Sequence, residues 1–547
     1  MSRVDPITSF PTSKQEEPRP GLKTPAIQEE TETPIISLPT SKQEKPISVL
    51  PDETQVTLDE ERVMLQGFFW ESYRYGHPER FPELGDKKWY EIVKEQAKKI
   101  KAARFDLIWL PPPSYAGKYS AGYNPKEYFN LNNSYGYFEQ HRAMLKALLE
   151  NGIEPIADIV INHRDGSTGW ANFKNPTWDT WAICQDDEAF SDNNSEVFNT
   201  PIELRGAGEE HPKYVEGGET TYQSPNFRDL DHTNETVRCD IVEYLKQLKS
   251  MGYRGWRYDM AHGYHAKWIA YYNKVTNPTF SAGEYSWDKD YERQGWIWNT
   301  ATTPGVLKTS SSMFDFRTFF ILKNNQIKYK TLYDYGKSIQ EFLDSSSGLI
   351  WRDKAITFVE NHDTGYRTNE DGTPEKHHEH DNFANNWEVE QAYAYILTHP
   401  GVPTIYWKHY FDWGSDLQNK IKALINARKI AGVHAGSDFY PQNNARKKRV
   451  YAAMVKGRRI GEKRTQLYVR LGGTDNDWQP SSSNYKDYRE YAHGTGWKVW
   501  ITLPGNPELQ QTPFNKALPV PDYKAPVPCD TEKKVWITSP SIPEIAD

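Results

Sequence analysis

Gly255-Trp256-Arg257-Tyr258-Asp259 is a strand-like run that ends on a carboxylate, with an arginine two residues before it. By the two-residue period of a strand, Arg257 and Asp259 share one face. Downstream, Phe280-Ser-Ala-Gly283-Glu284 ends the same way, and Phe358-Val-Glu-Asn361-His362-Asp363 does so again. Upstream, Asp158-Ile-Val-Ile-Asn162-His163 is a fourth apolar run with polar residues at its ends. Asp259 and Glu284 are 25 residues apart, about one strand–helix step of a parallel α/β barrel. Glu284 and Asp363 are 79 apart, about two longer steps. The spacing predicts Asp259, Glu284 and Asp363 at the C-terminal ends of strands four, five and seven, where such a barrel gathers its active site.

The flanking sequence keeps the same rhythm. Val63 to Trp70 reads as strand one, Asp106 to Pro111 as strand two and Ile153 to His163 as strand three. Lys88–Arg104 and Phe138–Glu150 between them have apolar residues three and four apart. Gly152 stops the second helix. Residues 164–228 lose this periodicity. A structureless loop of that length is improbable in a compact domain, so an inserted small domain is expected there. Asn234–Met251 reads as a helix, with Val237, Ile241, Leu245 and Leu248 on one face. Met313–Phe316 is the candidate for strand six and Val402–Trp407 for strand eight. Beyond residue 435, Val450–Val455, Thr465–Arg470, Trp497–Thr502 and Lys534–Thr538 read as strands of an antiparallel sheet domain. The predicted fold is therefore a (β/α)8 TIM barrel over 59–163 and 229–435. It carries an insertion over 164–228 and a C-terminal β domain over 436–547. Residues 1–58 are rich in Pro, Glu, Lys, Ser and Thr and repeat Pro11-Thr-Ser-Lys-Gln-Glu16 as Pro39-Thr-Ser-Lys-Gln-Glu44. They read as a disordered leader.

Composition narrows the function. The net charge is −8, and basic residues gather only at 446–449 and 456–459, which argues against a nucleic-acid face. No window of about 18 apolar residues suggests a membrane span. The N-terminus shows no apolar signal segment. Three scattered cysteines, Cys184, Cys239 and Cys529, argue against a disulfide framework and fit a reducing, cytoplasmic location. His377-His378-Glu379-His380 lies in a polar stretch and reads as a solvated loop rather than a metal site. Aromatic residues make up 14% of the chain, a content that suits a cleft whose rings pack on sugar faces.

Three carboxylates, one arginine and two histidines in one cleft suggest acid–base chemistry on a polar, uncharged substrate. Glycoside hydrolysis fits, because it needs one carboxyl protonated and another ionised. The four runs resemble, in order, the four sequence regions of the alpha-amylase family, glycoside hydrolase family 13. Leu65–Ser72, Gly122–Pro125 and Ile396–Pro403 also resemble that family, most closely its plant and archaeal members, and the likeness spans residues 60–435.

The resemblance implies a residue-by-residue site. Asp259 would be the nucleophile, with Arg257 lowering and orienting its carboxylate. Glu284 would be the acid/base, its pKa raised by burial beside Asp259 and Asp363, with Ala282-Gly283 keeping the backbone small near the sugar. Asp363 would grip hydroxyls of the distorted sugar. His163 and His362 would bind sugar hydroxyls, and Tyr123 would pack on the ring. His262 stands where the family usually has a lysine on the leaving-group side. Asp158 would be structural. The resemblance also implies calcium, held by Asn162, Asp229 and the Gly263 carbonyl. The alternative is that Asn162 and Asp229 bond each other's loops. The implied partner is an α-1,4-glucan such as starch, glycogen or a maltooligosaccharide, acted on by a monomer. Transglycosylation within the same family, or glycan binding without catalysis, stays open.

Overall fold

The computed structural model describes residues 61–166, 172–184, 187, 227–285, 290–323, 351–373, 375, 383, 386–448, 450–460, 463–472, 478–480, 488–502 and 516–529. The 1–58 leader with its repeat, most of the insertion, the His377–His380 cluster and the Lys534–Thr538 strand lie outside these residues.

Eight strands close into a parallel barrel: β1 Met64–Gln66, β2 Leu107–Leu110, β3 Glu154–Ile159, β4 Gly255–Tyr258, β5 Phe280–Gly283, β6 Ser312–Phe314, β7 Ala355–Phe358 and β8 Val402–Tyr406. Their order around the barrel is their order in the chain. Buried on both faces, the strands are near-continuous apolar runs such as Leu107-Ile-Trp-Leu110. The helices that cover them include α1 Trp89–Ala102, α2 Phe138–Glu150, α3 Glu235–Met251, α4 Ala266–Thr276, α5 Asp290–Asn299, α6 Phe316–Lys323, α7 Asn386–Thr398 and α8 Ser415–Ala431. In α3, Asn234 Oδ1 caps the first turn by accepting from the Thr236 and Val237 amides. Its apolar face buries Val237, Ile241, Leu245 and Leu248. Gly252 ends the helix at a φ of +127°, open to glycine at little cost.

A second sheet follows: β9 Phe439–Pro441, β10 Tyr451–Ile460, β11 Lys463–Leu471, β12 Tyr488–Gly494 and β13 Trp497–Thr502. It is antiparallel in the order β9-β10-β11-β13-β12. Glu390 of α7 ties it to the barrel, accepting from the Trp497 indole at 3.2 Å and the Thr495 amide at 3.1 Å.

Residues 516–529 then run back over the barrel helices without forming a strand. The Leu518 amide donates to Leu149 O, Lys524 N to Ser250 Oγ, and Cys529 N to Asp240 Oδ1. Tyr523 packs edge-on against Phe138 at 4.9 Å. Cys239 of α3 and Cys529 form a disulfide, with Cα atoms 6.0 Å apart. This corrects the expectation drawn from the cysteine count. Two cysteines 290 residues apart leave no spacing signature, and only the returning segment brings them together. Among the described residues, no helix is long and apolar enough to cross a membrane. Reduction, or Cys529→Ser, is expected to cost about 2–5 kcal/mol, because the bridge closes a very long loop. Thermal melts with and without a dithiol check this, and an unchanged midpoint would contradict it.

Candidate active site

The barrel register builds the site. It sets Asp158 of β3 beside Arg257 of β4, and Arg257 beside Ala282 of β5. Asp259 follows β4 and Glu284 follows β5. Three carboxylates converge on the one buried guanidinium. Arg257 NH1 donates to Asp158 Oδ1 at 2.8 Å and to Asp259 Oδ1 at 2.5 Å, and NH2 pairs with Glu284 Oε2 at 2.8 Å. The Trp109 ring lies 4.8 Å from the guanidinium, and its indole N–H donates to Asp158 Oδ2. Tyr123 Oη donates to the same oxygen at 2.8 Å. Asp158 is thus fully partnered and structural, while Glu284 keeps 18% of its side chain exposed to the cleft.

One guanidinium cannot neutralise three carboxylates, so uncompensated negative charge adds to burial at Asp158 and Asp259. Burial raises the Asp158 carboxyl to about 6, against the pull of Arg257. Burial also raises Asp259 well above its usual range; Arg257 opposes this, and the charges of Glu284 and Asp158 add to it. The expected net lowering of Asp259 by Arg257 is therefore not what the site shows. Arg257 is outweighed by desolvation and two like charges. Burial works against the Arg257 cation, but Asp158, Glu284 and Asp259 hold its pKa well above the usual value.

A fourth carboxylate, Asp363, enters from the loop after β7. Asp363 Oδ2 faces His362 Nε2 at 3.1 Å, and 40% of its side chain is exposed. Burial raises Asp363, but His362, Arg367 and Arg257 outweigh it and hold the carboxyl below its usual value. Gln66 of β1 holds the other His362 nitrogen at 2.9 Å, and burial lowers that ring to about 3. Tyr123 stacks on His362 at 5.1 Å and 11°, and on Trp70 at 5.9 Å and 5°. The three rings form a near-parallel apolar wall above the carboxylates. Burial lowers His262 against the opposing charge of Glu284.

Two expectations change in detail. His163 is buried, with Nε2 bonded to the Tyr123 carbonyl at 2.7 Å and Nδ1 facing the Asn162 amide at 3.3 Å. It props Tyr123 from behind rather than offering a free nitrogen to the cleft. Gly283 is small for a reason other than sugar access: a Cβ there would lie 2.2 Å from the Trp296 ring. Gln66, Trp70 and Trp109 were not among the residues expected. The first and last are buried strand positions that read as core, and Trp70 gains its role only from the rings stacked beside it.

The proposed metal residues also meet. His163-Arg164 pairs antiparallel with Arg228-Asp229. Asn162 Nδ2 donates to Asp229 Oδ1 at 3.0 Å, so these loops do bond each other. Asn162 Oδ1 is buried with no hydrogen-bond partner among the described residues. A Cβ on Gly263 would lie 2.0 Å from that oxygen, so only glycine leaves the space in front of it open. Asp187 Oδ2 accepts from the Asp229 amide at 2.7 Å. Among the described residues there is no cluster of three or more His, Cys, Asp or Glu side chains set for a metal. Any ion here would rely on amide and backbone oxygens as well.

Residues 85–294 match the alpha-amylase catalytic domain, and residues 431–501 match the alpha-amylase C-terminal beta-sheet domain. The chain is 29% identical over 465 residues to a probable alpha-amylase 2 of Arabidopsis thaliana, covering 82% of this chain and 96% of that one. It is 28% identical over 389 residues to a glucan 1,4-alpha-maltotetraohydrolase of Roseateles saccharophilus, covering 69% and 63% of the two chains. Among solved structures it superposes on an alpha-amylase from Geobacillus thermoleovorans, complexed with acarbose, with a TM-score of 0.56 at 15% identity. That likeness covers 82% of this chain and 99% of the other. With both of its domains matched and the barrel closed as the family requires, this chain belongs to the alpha-amylase family, glycoside hydrolase family 13.

Proposed function

We propose that the chain is a retaining glycosidase that hydrolyses internal α-1,4-glucosidic bonds of starch, glycogen or maltooligosaccharides. One observation carries the mechanism: Asp259 and Glu284 leave adjacent strands and share the two terminal nitrogens of Arg257. That bridge holds two carboxylates within reach of one glycosidic bond, as double displacement demands. Asp259 attacks the anomeric carbon while Glu284 gives its proton to the leaving oxygen. Glu284 then takes a proton from water, which releases the sugar from Asp259. Asp363 and His362 engage the sugar hydroxyls, and Tyr123 packs on the ring, its hydroxyl already committed to Asp158. His262 lies near enough to Glu284 to feel its charge, which supports a place on the leaving-group side. Reducing-sugar release from soluble starch tests the reading, and a chain that only redistributes maltooligosaccharide lengths would be a transferase instead.

The chemistry around Asn162 Oδ1 suits calcium, which takes six to eight oxygen ligands. Asn162, Asp229 and the Gly263 carbonyl would hold it, with Asp187 alongside. Bound there, the ion would brace the insertion against the barrel rim next to His163. At free calcium about 100-fold above its Kd, binding would add about 3 kcal/mol to stability. A chelator is expected to lower the melting temperature, and added calcium to restore it. Identical melts in both conditions would count against the site. The cytoplasmic expectation rested on the lack of an apolar signal segment and on the cysteine count, and the Cys239–Cys529 bridge removes the second of these grounds.

A further inference from the structure

Arg367 follows Asp363 by four residues and is 3% exposed. Three contacts with described residues hold it. Its Nε donates to the His362 carbonyl at 2.7 Å. Its NH2 donates to Asp363 Oδ1. Its guanidinium carbon lies 3.7 Å from the centroid of the Trp70 ring. The loop that carries it is itself anchored: Thr368 N donates to Glu71 Oε1 at 2.6 Å, Arg74 NH1 to Asn369 O at 3.0 Å, and Lys408 Nζ to Tyr366 O at 3.0 Å.

Asp363 therefore has one oxygen toward a cation and the other toward His362, a ring that burial keeps neutral above about pH 3. Each carboxylate oxygen still has a second acceptor site. Trp70 contacts both the Arg367 guanidinium and the Tyr123–His362 pair. A planar guanidinium can cover an indole and present N–H groups in its own plane at the same time, whereas a lysine ammonium is a point charge without that plane.

We infer that Arg367 is a positioning residue. It pins the Asp363 carboxylate in one orientation and clamps Trp70 as a wall of the cleft, so that sugar hydroxyls meet preset acceptors as the ring distorts. This rests on the glycosidase reading above. Because the acceptors are set before the sugar reaches its transition state, loss of the pin falls on kcat more than on KM.

The test is kcat and KM on a maltooligosaccharide for wild type, Arg367→Lys and Arg367→Ala, with and without added guanidinium chloride at millimolar, non-denaturing concentration. Arg367→Ala is expected to lower kcat about 30-fold and Arg367→Lys about 10-fold, each with KM within about threefold of wild type. Guanidinium should restore Arg367→Ala severalfold and leave the other two unchanged. If Arg367→Ala does not fold, the kcat–KM split in Arg367→Lys carries the test. An active wild type whose variants keep their kcat, or lose it only through KM, overturns the inference alone. A wild type that releases no sugar overturns the glycosidase reading and the inference with it.

Discussion

Asp259→Asn is expected to lower kcat on a soluble α-1,4-glucan by about 10^4-fold or more, and Glu284→Gln by about 10^3-fold. The two losses differ in kind. An amide at 259 cannot form the glycosyl ester, so no leaving group restores the first step. An amide at 284 cannot protonate the leaving oxygen, so the loss depends on how much that oxygen needs a proton. Glu284→Gln should thus keep far more of its rate on an aryl glycoside with an acidic phenol than on starch, while Asp259→Asn fails on both. Rates on the two substrates for the two variants check the assignment. Equal losses across all four combinations would mean that the variants disturb the fold rather than the chemistry.

The second large effect concerns stability. Arg257→Met leaves Asp158, Asp259 and Glu284 facing one another without their shared cation. Removing one partner of a buried ionic cluster typically costs about 3–5 kcal/mol. The pH dependence has a fixed sign. Without Arg257, the buried carboxyls hold protons in the folded state that the unfolded chain loses near pH 4. The folded state then binds more protons, so the variant loses stability as pH rises and recovers it as pH falls. Asp158, already at about 6 with the arginine present, sets a lower bound for where that loss levels off. Denaturant unfolding of Arg257→Met at pH 4.5 and pH 7 checks this. A penalty that is the same at both values would contradict the account.

Much of this was legible in the sequence, for identifiable reasons. A barrel strand is buried on both faces and ends where its loop meets the cleft, so Gly255–Asp259 and Phe280–Glu284 announce both strand and site. The 25-residue step between their carboxylates is one turn of the repeating unit, and the two strands do pair, Arg257 beside Ala282. Other features are long-range and carry no period. Cys239 and Cys529 meet only because the chain returns after the second sheet. Gln66 reads as one more buried strand residue until His362 arrives from β7, 296 positions away. His163 sits inside a recognisable motif, yet its partner is the Tyr123 carbonyl, a backbone group that no side-chain pattern reports. Arg367 lies in a loop and gains meaning only from Asp363, the His362 carbonyl and Trp70 packed around it.

The most direct test of the central claim is the anomer first released. Proton NMR of a maltooligosaccharide digested in deuterated buffer separates the α and β reducing ends before they equilibrate. With Asp259 as nucleophile and Glu284 as acid/base, the α-anomer appears first and the β-anomer grows in only by mutarotation. A β-anomer formed first would mean single displacement by water, and would contradict the roles given to both residues.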